Sequence, residues 1–307
     1  VTAQISIEQC GRRIEALCHD LVGTIFSAIK IVVWFHLPAG LTANNTKKKM
    51  SFVMGNGPSL KSDFHVIERV RSGIDLFAVN DFALSQEFTI LKPNYYILND
   101  PFYWIEGLAP DLEHKRSKLF AALCAASWEI TLLVPLEMKK AAAVIEPKIS
   151  DNMIKPVYYN RTPLTGFLWF QRAAAGMNLG LPSGQNVLLA AIYLAIRLKY
   201  KKIIIWGADH SFHEEIRVTE DNVLNLKQEH FDDMDNCEAK PYSRCFVNII
   251  PLQVHELFSV WARAFKGYWD LSAFARKQGC EIYNASFKSY IDAFPRLTNS
   301  EVLALFQ

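Results

Sequence analysis

Side chains able to bind a phosphate, a sugar hydroxyl or a proton fall in short polar clusters, each at the end of an apolar run. Gly55-Asn56-Gly57-Pro58-Ser59 follows Phe52-Val53-Met54. Asn80-Asp81 follows Phe77-Ala78-Val79, and Asn99-Asp100 follows Tyr95 to Leu98. Gly207-Ala208-Asp209-His210 follows Ile203-Ile204-Ile205-Trp206. In an open α/β sheet the carboxyl ends of the strands line the ligand crevice, so polar residues there are placed to bind. The same residue types also build ordinary Asx turns, and the local pattern alone does not separate the two.

The first cluster reads as strand, tight loop, helix. Gly55 and Gly57 are expected to take positive φ and to let a ligand approach the backbone. Pro58 suits a first helical turn, and the amides after it are expected to face an anion at the helix N-terminus. The loop is neither G-x-G-x-x-G nor G-x-x-x-x-G-K-[ST], so neither standard phosphate fingerprint applies. Ser183-Gly184 precedes the apolar stretch Val187 to Leu198. There Ser183 is expected either to cap the helix or to present its hydroxyl to a phosphate.

These clusters need elements to hold them. Short apolar runs alternating with helical stretches predict an α/β protein: a Rossmann-like open, mostly parallel sheet with helices on both faces. Strands are expected at 75–79, 95–98, 129–134, 203–206 and 281–284, and helices near 63–70, 111–127, 187–198 and 255–277. Phe258, Trp261, Phe265 and Trp269 of the last helix are expected to pack in the core. Residues 1–46 read as an amphipathic helix and a linker, and 47–307 as the Rossmann-like domain. That domain carries an insertion at about 136–181, holding Arg161 and Arg172, and a lid at about 211–250.

Apolar residues recur three or four apart from Ile7 to Ile29, and 21–37 is almost wholly apolar. Three readings of this helix stay open: packing against the domain or a second subunit, lying on a membrane surface, or spanning a membrane. Arg12, Arg13 and the run Lys47-Lys48-Lys49 favour an anionic surface.

The chain has 307 residues, half of them hydrophobic, and a formal net charge of +2. This composition excludes disorder and makes no case for nucleic acid. The six cysteines form no C-x-x-C pair, so neither a disulfide framework nor a structural zinc site is expected.

The first loop, with Val79-Asn80-Asp81-Phe82, Leu98-Asn99-Asp100-Pro101, Ser183-Gly184 and Trp206-Gly207-Ala208-Asp209, resembles the bacterial sialyltransferases of the Campylobacter lipooligosaccharide type and the related motility-associated glycosyltransferases. The resemblance covers roughly 50–210, and the helix and strand running to Ser286 fit as well. It implies a CMP-activated nonulosonic acid as donor and a hydroxyl of a bacterial surface glycan or glycolipid as acceptor. It implies no cofactor and no metal. Asn56, Gly57, Ser59, Asn80, Asn99, Ser183, Gly184 and Asp209 would meet the nucleotide. A lid histidine would be the base; His230 is the best match, with His210 and then His213 behind it. A lid tyrosine would hold the donor phosphate, and Tyr242 is the candidate.

In this chemistry the acceptor hydroxyl loses a proton as it attacks the anomeric carbon and CMP leaves, a task suited to imidazole. Two other classes stay open. One is a Mg²⁺-dependent phosphoryl or pyrophosphoryl transferase, for which Asp232, Asp233 and Asp235 are the carboxylates at hand. The other is a non-catalytic, nucleotide-binding partner at a membrane. The expected place is the cytoplasm, peripheral on the inner membrane face, with homo-oligomers open.

Overall fold

The strand residues 52–54, 76–79, 95–97 and 203–206 are all buried on both sides of the sheet, which is why these strands read as unbroken apolar runs. The computed structural model describes residues 2–33, 48–142, 153–182, 186–227, 231, 239–241 and 252–307. The strands are β1 (Met50–Met54), β2 (Asp75–Val79), β3 (Tyr95–Ile97), β4 (Ile130–Pro135), β5 (Ile154–Tyr159), β6 (Pro163–Leu164), β7 (Leu181–Pro182), β8 (Lys202–Trp206), β9 (Ile216–Val218), β10 (Leu224–Leu226), β11 (Lys240–Pro241) and β12 (Glu281–Asn284). The helices are α1 (Thr2–Val33), α2 (Leu60–Val70), α3 (Glu87–Leu91), α4 (Pro110–Cys124), α5 (Leu168–Gly176), α6 (Val187–Arg197), α7 (Val254–Lys277) and α8 (Asn299–Ala304).

Seven strands form the main sheet in the order β12-β8-β1-β2-β3-β4-β5, every neighbouring pair parallel. The chain builds outward from β1 to β5, then returns to add β8 and β12 on the other side of β1. Parallel crossovers are right-handed, so this reversal sends the later helices to the opposite face. Accordingly Phe52, Met54, Leu76 and Ala78 pack in one core with α2, α3, α4 and α8, while Val53, Phe77 and Val79 pack in a second with α6 and α7.

The structure revises several expectations. Residues 136–181 are not purely an insertion: β5 lies within them and closes one edge of the sheet. Pro156 opposite Leu132 disguised this strand, and an edge is where a strand tolerates proline. The cap of α6 is Asn186, whose side chain accepts from the Leu189 amide at 2.9 Å; Ser183 lies outside the described residues. In α7 the core is filled by Tyr268, Leu271, Phe274 and Ala275, whereas Phe258 and Trp269 are half exposed. Of the run Lys47-Lys48-Lys49, Lys48 has an inward partner: its Nζ lies 3.4 Å from the buried Asp75 carboxylate at the amino end of the sheet. The described part of the expected lid holds a small antiparallel sheet, β9 to β11.

Candidate functional site

The strand order reverses between β1 and β8, and the loops after these two parallel strands are stitched together. The Gly55 amide donates to the Trp206 carbonyl at 2.8 Å, and the Gly57 amide to the Gly207 carbonyl at 2.8 Å. The expectation for Gly55 and Gly57 needs correcting. The positive φ belongs to Gly207, at +58°, and to neither of them. They are glycines because another loop crowds them. A Cβ on Gly55 would lie 2.5 Å from the Gly207 carbonyl oxygen, and one on Gly57 would lie 2.6 Å from Asp209 Oδ1.

The anion facing the start of α2 is also the protein's own. The Asp209 carboxylate accepts from the Ser59 amide at 3.0 Å and from the Ser59 hydroxyl. Burial raises the Asp209 pKa, and the Ser59 bonds, Lys288 and Arg296 oppose that rise. Asp209 and Ser59 thus hold the two loops to each other across the switch point. Behind them the segment after β12 closes in. Ser286 Oγ accepts from the Ala208 amide at 2.9 Å, Ser289 Oγ donates to the Ala208 carbonyl at 2.6 Å, and the Tyr290 amide donates to the Asp209 carbonyl at 2.9 Å.

Across the crevice the tips of β1, β2 and β3 carry the three asparagines. Asn56 Nδ2 donates to the Val79 carbonyl at 3.2 Å, which fixes the orientation of its amide. Among the described residues, Asn56 Oδ1 is then buried without a donor, and so is Asn80 Oδ1. Asn80 sits at φ +51°, a strained left-handed position held by Tyr96, whose hydroxyl donates to the Asn80 carbonyl at 2.5 Å. Asn99 Oδ1 accepts from the buried Tyr159 hydroxyl at 2.7 Å, and the Asn99 carbonyl accepts from Arg161. Arg161 also pairs with Glu137 at 2.6 Å. Asp81 accepts from Tyr103 at 2.9 Å and pairs with Lys115 at 2.7 Å, so it braces α4 against the β2 tip. Asp100 accepts from the Phe102 amide at 3.1 Å, and burial raises its pKa.

His210 turns away from this chemistry. At φ +50° its ring lies among Phe212, Phe265 and Tyr268, and its Nε2 is 2.7 Å from the Tyr268 hydroxyl. Asn186 Nδ2, 3.2 Å from that hydroxyl, extends the chain to the start of α6. Burial lowers the His210 pKa to about 4. A folded pKa below the unfolded value of 6.5 means that stability is complete above about pH 6.5 and is lost as pH falls toward 4. From near pH 7 to about pH 5 this single residue should remove about 2 kcal/mol. The buried Asp100 and Asp209, with raised pKa values, slope the other way, so the comparison is between chains. Urea unfolding of wild type and His210→Gln at both pH values should show a smaller acid loss in the variant; equal losses would refute the role.

His213 packs edge-on to Tyr290, with ring centroids 4.3 Å apart. His230, Ser183, Gly184, Tyr242, Asp232, Asp233 and Asp235 lie outside the described residues. Phe231, the chain neighbour of His230, is described: its amide donates to the Asn56 carbonyl at 3.1 Å, and its ring packs on Phe64 and Phe82. Among the described residues no three His, Cys, Asp or Glu side chains gather as metal ligands. Sequence reasoning singled out Arg161 as a cation but missed the supports Tyr96, Tyr159, Asn186 and Tyr268, whose bonds reach residues distant in the chain. A buried tyrosine needing a hydroxyl partner is the one signal they offered.

The strand order and the stitched switch point define an α/β protein of the doubly wound, Rossmann-like class, with its switch point between β1 and β8. No protein-family profile matches the chain, and no curated protein matches it. Among solved structures it is similar to the MAf glycosyltransferase from Magnetospirillum magneticum AMB-1, with a TM-score of 0.47 and 15% identity. The similarity covers 92% of this chain and 38% of that one, so this chain spans well under half of that protein's length. No activity is carried over from it.

Proposed function

We propose that the chain is a glycosyltransferase that moves a sialic-acid-like sugar from a CMP-activated donor to a hydroxyl of a bacterial surface glycan or glycolipid. The observation that carries this reading is a pair of buried oxygens, Asn56 Oδ1 and Asn80 Oδ1, on the adjacent tips of β1 and β2, neither of which has a hydrogen-bond partner among the described residues. A buried acceptor without a donor is costly, and a ligand that supplies N–H or O–H groups relieves that cost. A nucleoside does so through its base amine and ribose hydroxyls. Asn99, set by Tyr159, extends the same polar row.

Because Asp209 already faces Ser59, the donor phosphate is held elsewhere, and in this reading Ser183 and Gly184 take it. Ser59 and Asp209 then shape the pocket floor by fixing the two loops. The reaction asks for a base and for donors to the departing phosphate; it asks for no metal.

The test is thermal unfolding of the purified chain with CMP, CDP, UDP, GDP or ATP, each with and without Mg²⁺. CMP at about a hundred times its Kd should stabilise by about 2.7 kcal/mol without metal, and Asn56→Ala and Asn80→Ala should shrink that gain. A shift confined to ATP with Mg²⁺ would move the site to phosphoryl transfer.

A further inference from the structure

The remaining unexplained feature is α1. Its stretch Cys10–Val33 is long and apolar enough to cross a membrane, with a mean hydropathy of 1.7 in its most apolar 18-residue window, yet only 6% of that window is buried. Ile14, Leu17, Leu21, Val22, Ile25, Phe26, Ile29, Val32 and Val33 are all at least half exposed. At about 100° per residue they cover an arc of about 180°.

The opposite side of the helix is what holds it to the domain, and it does so with small and polar residues. Ser27 Oγ accepts from the Thr165 amide at 2.8 Å, and Thr24 Oγ1 accepts from the Phe167 amide at 2.9 Å. Gly23 lies against Gly166, where a Cβ would come within 2.8 Å of the Gly166 nitrogen. Ile31 meets the core. The bare apolar face is therefore not what folds the protein.

We propose that α1 is a monotopic anchor that lies in the plane of a lipid bilayer surface, its docked face toward the domain and its apolar face in the acyl boundary. Three observations choose this occupant. First, the docking contacts, Gly23, Thr24 and Ser27 on Thr165-Gly166-Phe167, sit at the middle of the apolar stretch, so a docked helix that spanned a membrane would carry these loop residues and their polar backbone into the hydrocarbon core. Second, an arc this wide exceeds the narrow seam of a two-helix coiled coil and matches an interfacial helix. Third, the domain exposes apolar side chains beside the docked helix. Leu168 and Trp169 follow directly on the docking residue Phe167 and are also exposed, Trp169 at 67%. An exposed tryptophan beside an apolar helix suits the headgroup level. The inference stands apart from the transferase reading.

The experiment is flotation of the purified full chain with vesicles of phosphatidylcholine, alone or mixed with phosphatidylglycerol. Wild type should float with both, and binding should persist at raised salt because insertion is apolar. L21Q/F26Q should weaken binding by at least about tenfold with an unchanged urea midpoint, as both side chains face away from the domain. Trp169→Gln, on a different element, should also weaken it. Either variant floating as well as wild type overturns the proposal. So does a wild-type chain that ignores vesicles but sediments as a dimer that L21Q/F26Q dissociates, which assigns the face to a second copy.

Discussion

His230→Ala is expected to lower sugar transfer by a factor of about 10² to 10⁴, the usual contribution of a positioned general base, while leaving the CMP-induced thermal shift intact. Two observations separate His230 from its rival. Phe231, the next residue in the chain, is tied to the Asn56 carbonyl and packed against Phe64 and Phe82. His210 has its Nε2 bonded to Tyr268 and a pKa near 4, which makes it a weak acceptor for a hydroxyl proton at neutral pH. Single-turnover transfer with a CMP-linked nonulosonate, measured beside CMP binding, decides the matter. Full transfer in His230→Ala with loss in His210→Gln would hand the role to His210. Loss of both transfer and CMP binding would make His230 a pocket residue and not the base.

Gly55→Ala should cost about 3–5 kcal/mol of folding stability, a large share of the 5–15 kcal/mol that holds a typical domain together. The added Cβ would stand 2.5 Å from the Gly207 carbonyl oxygen and 3.1 Å from its carbon, and both are main-chain atoms that no rotamer change can move. Relief requires the β1 and β8 loops to part. Parting them breaks the Gly55–Trp206 and Gly57–Gly207 hydrogen bonds at the crevice floor. Overpacking of about 1–3 kcal/mol and about 1 kcal/mol for each bond give the total. Gly11→Ala is the control: nothing lies within 4 Å of its Cβ, and helix propensity should favour alanine by about 1 kcal/mol. Equal urea midpoints for Gly55→Ala and wild type would mean that the two loops do not touch in solution.

The sequence by itself determined the elements and the class. Apolar runs ending in Gly, Asn or Asp read as parallel strands because both faces of such a sheet are buried, and the structure keeps them at β1, β2, β3 and β8, with β4 and β12 also found where strands were expected. The break-free run 187–198 and the three-to-four spacing of 255–277 read as helices for the same local reason. β5 escaped because Pro156 and scattered polar residues mimic a loop, and its place at an edge removes the penalty that would otherwise forbid them.

Tertiary structure alone decided what the polar clusters do. Ser59 and Asp209 are 150 residues apart, and no local period encodes their pairing. Asn56, Asn80 and Asn99 looked alike as strand-end residues. Among the described residues, the fold leaves a buried oxygen without a donor on the first two and gives the third to Tyr159, 60 positions along. The glycines of the first loop were legible as special, but the reason was not: they make room for the Gly207 carbonyl and the Asp209 carboxylate, which reach them only because strand order reverses between β1 and β8. For α1 the sequence determined an apolar face and left its neighbour open. The docking of Gly23, Thr24 and Ser27 on Thr165-Gly166-Phe167 decided which side is bare, since polar contacts between distant segments leave no trace in hydrophobic periodicity.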